Sequence, residues 1–119
     1  MTSDRAHPNA ELSDQQLIGL RERLIDERRK LTESLSSLAD DLGVRPDCSV
    51  SDWADAASYS ETRRRIAEVA IGTRENLSSV EEALVRMANG TYGVSLQTGE
   101  PIPYERLQAL PWAETTVDE

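Results

Sequence analysis

No phenylalanine occurs in the chain, and there is a single cysteine, Cys48, and a single histidine, His7, among 119 residues. Each scarcity excludes something. One cysteine makes no internal disulfide. One cysteine and one histidine far apart in sequence do not assemble the thiolate and imidazole ligands of a structural zinc site. With two tryptophans and three tyrosines as the aromatic complement, a large globular core is not expected. A helical hairpin needs only a narrow apolar stripe and suits such a composition. No apolar run of about 18 residues occurs, so no membrane span is expected. No signal-peptide pattern opens the sequence, and a cytoplasmic location is the default. Basic side chains number 13 against 22 acidic, a formal charge of −9. Nonspecific nucleic-acid binding, which needs clustered Lys and Arg, is therefore disfavoured.

What is present is helical periodicity. Residues 1–11 are polar, contain Pro8 and Asn9, and read as a flexible tail. Ser13 and Gln16 form a capping-box signature. Leu17, Leu20, Leu24, Leu31, Leu35, Leu38 and Leu42 then recur at steps of three, four and seven, a coiled-coil stripe that Gly43 and Pro46 end. A second helix is expected from Ser51 or Asp52 to Asn89-Gly90. Its stripe is Ile66, Ala70, Thr73, Leu77, Val80, Leu84 and Met87, with Tyr59 extending it toward the turn. Two long helices joined by a short turn are antiparallel neighbours. The sequence thus predicts a mainly α chain with a hairpin over 12–89 and its tip near 47–57. A small module follows over 90–119, with turns, two short strands around Thr98–Pro101 and a short helix over 104–110. Tyr92, Ile102, Tyr104, Leu107, Leu110 and Trp112 are its candidate core.

At the turn stands Asp52-Trp53-Ala54-Asp55-Ala56-Ala57, and after Gly90 comes the run Tyr92-Gly93 … Gly99-Glu100-Pro101-Ile102-Pro103-Tyr104-Glu105-Arg106-Leu107-Gln108-Ala109-Leu110-Pro111-Trp112-Ala113. Hairpin, acidic tip of the form D-x-x-D-x-A, and C-terminal frame occur in the order of the DksA/TraR family, which the chain resembles. The resemblance implies a regulator that binds bacterial RNA polymerase through its secondary channel. Asp52, Asp55 and Ala57 would lie near the active site and tune promoter-complex stability. Family members carry a finger with four zinc cysteines, spaced C-x2-C, about seventeen residues, C-x2-C. Those positions fall here at Ser95, Thr98, Thr116 and Glu119. The module therefore reads as a degenerate finger that holds no zinc. A thiolate-bound zinc supplies roughly 10 kcal/mol to a small module, which packing must replace here.

Several residues carry two readings. Asp52 and Asp55 are tip carboxylates, or first-turn acids that the helix dipole favours by roughly 0.3–1 kcal/mol. Trp53 is an exposed binding anchor, or it caps the end of the hairpin core. Arg28, Arg29 and Lys30 on the first helix and Arg63, Arg64 and Arg65 on the second would reach similar height. There they form a basic collar for the acidic rim of a channel, or a solvated face with pairs such as Glu61–Arg65. Cys48 reads as an incidental free thiol and His7 as inert.

Some family members respond to the alarmone ppGpp, which links them to the stringent response. From Gly90 to Glu119 five acids face one base, Arg106, and Leu110 stands where a basic residue would help. That is a poor polyphosphate site, so ppGpp dependence is expected to be weak or absent. The chain is expected to be a monomer, not an enzyme, with no sequence-specific DNA binding. Two alternatives stay open: a Gre-like transcript cleavage factor whose tip acids hold a metal ion, and a helical-hairpin interaction protein that no longer binds polymerase.

Overall fold

The computed structural model describes residues 12–116. The expectations for the tail, His7 and Glu119 lie outside them. The fold is mainly helical: α1 (Asp14–Leu42), α2 (Val50–Ala57), α3 (Glu61–Asn89) and α4 (Tyr104–Ala109). The long α1 and α3 make a helical hairpin with α2 in its turn. Among the described residues, no helix is long and apolar enough to cross a membrane.

Local chemistry sets the ends. The Ser13 N–H donates to Gln16 Oε1 and the Gln16 N–H to Ser13 Oγ, each at 3.0 Å, closing the expected capping box at the start of α1. Gly43 and Gly90, at φ +73° and +77°, end α1 and α3 in the same way. The Gly43 and Val44 amides reach back to Asp40 and Ala39 carbonyls, and those of Gly90 and Thr91 to Met87 and Arg86. This is the paired bonding of a Schellman motif, whose left-handed residue favours glycine.

The second helix is not continuous, contrary to the sequence expectation. Ser58, Tyr59 and Ser60 divide it into α2 and α3. The Ser58 amide and hydroxyl both donate to the Asp55 carbonyl, at 3.2 and 2.7 Å, which ends α2. The Ser60 hydroxyl accepts the Arg63 N–H at 3.1 Å, which starts α3. Serine side chains competing for backbone groups favour such a break. Tyr59 is 80% exposed, so it does not extend the apolar stripe.

The chain divides into two compact units. In the unit Arg28–Ser78, Leu35, Ala39 and Leu42 of α1 form one core with Trp53, Ala56 and Ala57 of α2 and Ala67 and Ala70 of α3. The alanines leave room for the indole, the largest fully buried side chain. The other unit joins the described residues up to Glu27 to those from Ser79 on. Its buried side chains include Leu20, Leu24, Val80, Ala83, Tyr92, Ile102 and Leu107. The two expected strands there reduce to an isolated antiparallel bridge between Val94 and Pro101.

Candidate functional site

The end of the hairpin is built on α2. Its N-cap is Ser49, a few residues before the start expected from sequence. Ser49 Oγ accepts the Asp52 N–H at 3.1 Å, and the Ser49 N–H donates to Asp52 Oδ2 at 3.4 Å. The pattern Ser49-x-x-Asp52 is a capping-box signature, so this start was readable and was missed. Asp52 and Asp55 are exposed, and at a spacing of three they share a helix face. Trp53, Ala56 and Ala57 occupy the buried face.

Trp53 has no solvent exposure. The exposed-anchor reading is corrected to the core reading, because the indole is enclosed by alanines and leucines of three helices. Its Nε1 is buried without a hydrogen-bond partner. Ala57 likewise packs into the core rather than onto an open surface.

Two arginines hold the turn together, and sequence reasoning gave neither this role. Arg63 Nε donates to the Ala56 carbonyl and Arg63 Nη2 to the Leu42 carbonyl, both at 2.7 Å. Arg74 donates to the Cys48 carbonyl. The shared height of the basic clusters is also corrected. Arg63 sits against Leu42, whereas Arg28, Arg29 and Lys30 lie about a dozen residues earlier on α1, roughly 20 Å away at the helical rise. The eight residues of α2 lengthen the turn and shift the register. Arg29 pairs with Glu33 at 3.5 Å. Arg64 pairs with Glu61, the acid that the sequence reading gave to Arg65. Arg28, Arg64 and Arg65 are exposed.

An open groove of about 500 Å³ lies beside α2, lined in part by Arg45, Cys48, Asp52, Asp55, Tyr59 and Arg63. Burial first, then the negative charge of Asp52, holds the Cys48 thiol above its ordinary pKa. Cys48 is thus protonated at neutral pH and a poor nucleophile.

In the C-terminal segment the donor chemistry does not fit zinc. The buried Ser95 hydroxyl accepts the amides of Gln97 and Thr98, at 3.1 and 3.3 Å. Thr98 Oγ1 accepts the Glu100 amide at 3.2 Å. Thr116 is half-buried. The Ser95 and Thr98 hydroxyls are neutral and engaged with backbone, whereas zinc takes thiolate, imidazole or carboxylate. Among the described residues, no group of three or more His, Cys, Asp or Glu is placed to hold a metal ion. Nearby, Tyr92 Oη donates to the Pro111 carbonyl at 2.7 Å. Burial raises its pKa far above the ordinary phenol value, against the opposing pull of Arg86 and Arg23.

A helical hairpin whose turn is a short helix bearing two exposed carboxylates defines a class of hairpin proteins with an acidic end. Comparison with known proteins narrows it. No family model matches the chain. The RNA polymerase-binding transcription factor DksA of Caulobacter vibrioides is 30% identical over 104 residues, covering 87% of this chain and 68% of that protein. General stress protein 16O of Bacillus subtilis is 35% identical over 102 residues, and the chain spans 60% of its length. The structure of transcription factor DksA2 from Pseudomonas aeruginosa superposes with a TM-score of 0.67 at 31% identity, covering 87% of this chain and 78% of that one. The chain belongs to the DksA/TraR-like family.

Proposed function

We propose that this protein is a noncatalytic regulator of transcription initiation that binds bacterial RNA polymerase in the cytoplasm. In this reading the hairpin enters the secondary channel and brings Asp52 and Asp55 close to the active centre. Their negative charge acts on basic or polar groups of the moving parts there and alters the lifetime of promoter complexes. The observation that carries the reading is the exposure of both carboxylates on α2, at the turn of a DksA-type hairpin. Arg28, Arg29, Lys30, Arg64 and Arg65 are candidates for contact with an acidic channel rim, a salt-sensitive attraction. Arg63 leaves that group, because its guanidinium is engaged with two helix ends. The C-terminal segment works without zinc, held by packing around Tyr92, Ile102 and Leu107. The protein acts as a monomer, with little or no response to ppGpp and without reading DNA sequence.

The test is binding to purified bacterial RNA polymerase, with and without excess Gre factor, for the wild type and an Asp52→Asn/Asp55→Asn variant. Displacement by Gre factor supports a site in the secondary channel. A variant that binds but no longer changes promoter-complex lifetime assigns the carboxylates to function rather than docking. Absence of micromolar binding rejects the proposal. Stimulated cleavage of backtracked RNA would replace it with the cleavage-factor reading.

A further inference from the structure

Arg63 breaks a local rule. It stands in the first turn of α3, where the helix dipole disfavours a cation. Its compensation lies on other helices. Nε donates to the carbonyl of Ala56 near the end of α2, and Nη2 to the carbonyl of Leu42, the last residue of α1. Neither α1 nor α2 has a basic residue in its own last turn. One side chain therefore brings positive charge and hydrogen-bond donors to two C-termini at once, where both are favoured. The Tyr59 ring at the break between α2 and α3 covers the guanidinium, with its centroid 5.8 Å from the central carbon.

We propose that Arg63 is the positioning residue of the hairpin end. By tying Ala56 to Leu42 it fixes how α2 sits on α1 and hence the direction in which Asp52 and Asp55 leave the protein. The functional half of this inference rests on the reading of those carboxylates as the polymerase-facing groups. A planar guanidinium offers a fixed fork of donors, whereas a lysine ammonium is a point charge on a flexible stem. The two roles open to Arg63 therefore diverge on Arg63→Lys. A rim contact survives the change, because the charge is kept. A two-carbonyl clamp is weakened, because the ammonium lacks the fixed fork that reaches both carbonyls.

The experiment compares amide hydrogen exchange in the free wild type, Arg63→Ala and Arg63→Lys. It also measures promoter-complex lifetime with purified polymerase at saturating protein. The α2 amides of Arg63→Ala are expected to exchange roughly tenfold to a hundredfold faster, as loss of two charged hydrogen bonds implies. Arg63→Lys should show part of that loss and carries the test if the alanine variant fails to fold. The saturating effect on promoter complexes should fall in both, while the half-saturating concentration changes little. Wild-type protection of α2 in Arg63→Ala overturns the clamp. Full promoter effect with Arg63→Lys overturns the positioning role. If Asp52→Asn/Asp55→Asn keeps its full promoter effect, the tip reading and the functional half of this inference fail, while α2 exchange still decides the clamp.

Discussion

Ser49 and Asp52 cap each other at the start of α2, each side chain accepting the other's backbone N–H. One of the two candidate functional carboxylates is thus also part of the helix terminus that presents it, whereas Asp55 lies beyond the first turn. Asp52→Ala should remove both roles and destabilise α2 by about 1 kcal/mol, the usual value of a lost capping interaction. Asp52→Asn keeps an amide oxygen that can accept the Ser49 N–H while removing the charge. Exchange of the α2 amides should rise in Asp52→Ala and stay near wild type in Asp52→Asn and Asp55→Ala. If all three variants lose the effect on promoter complexes, charge matters; if only Asp52→Ala loses it, the cap matters and the carboxylates do not.

Trp53 ties α2 to both long helices, and its loss should be costly. Trp53→Ala leaves a large void among Leu35, Ala39, Ala67 and Ala70 and is expected to destabilise the unit Arg28–Ser78 by roughly 3–5 kcal/mol. Trp53→Phe removes the indole N–H, which has no partner, and keeps most of the apolar volume, so it should cost less. Denaturant unfolding followed by circular dichroism ranks the two. In a Trp112→Phe background, Trp53 emission should be blue-shifted and resist acrylamide quenching. Ready quenching would contradict the buried position.

The helices were legible in the sequence where the signal was periodic. The leucine series from Leu17 to Leu42 placed α1, and Gly43 and Gly90 marked the ends of both long helices. The break at Ser58–Ser60 was not legible. Serine tolerates a helix, and only the commitment of its hydroxyl to the Asp55 carbonyl or the Arg63 amide stops one. The burial of Trp53 had a trace in the sequence, since Ala39, Ala67 and Ala70 lie on faces where a narrow residue admits a wide neighbour. Alanine also suits exposed helix positions, and periodicity alone does not separate the two. Asp52 and Asp55 were found by their resemblance to a motif. Arg63 was found as a charge and misread as a surface contact, because its carbonyl partners are set by tertiary structure.

The turn after Gly93 should be insensitive to chelators. Ser95 Oγ satisfies two backbone amides from a buried position, a duty a neutral hydroxyl performs without metal. Treatment with EDTA is expected to leave the thermal midpoint unchanged. Ser95→Ala should strand those amides and cost about 1–3 kcal/mol, lowering the midpoint by roughly 5 °C or more in a domain of this size. A midpoint that falls on chelation and recovers with added zinc would show that a metal is bound.

Tyr92 makes stability depend on alkaline pH. Its phenol is buried, donates to the Pro111 carbonyl, and resists ionisation well above the ordinary value of 10.0. In the unfolded chain the same phenol ionises near that value, so above it the folded state holds a proton that the unfolded state has lost. The contribution of Tyr92 is therefore fully present below about pH 10 and declines as pH rises beyond it. Tyr92→Phe removes the titrating group and strands the Pro111 carbonyl, at a cost of about 1–3 kcal/mol at neutral pH. Urea unfolding at pH 8 and at pH 11 should show a smaller loss of stability for Tyr92→Phe than for the wild type. Equal losses would mean that the Tyr92 hydroxyl reaches solvent and that Arg86 and Arg23 hold it near its unfolded behaviour.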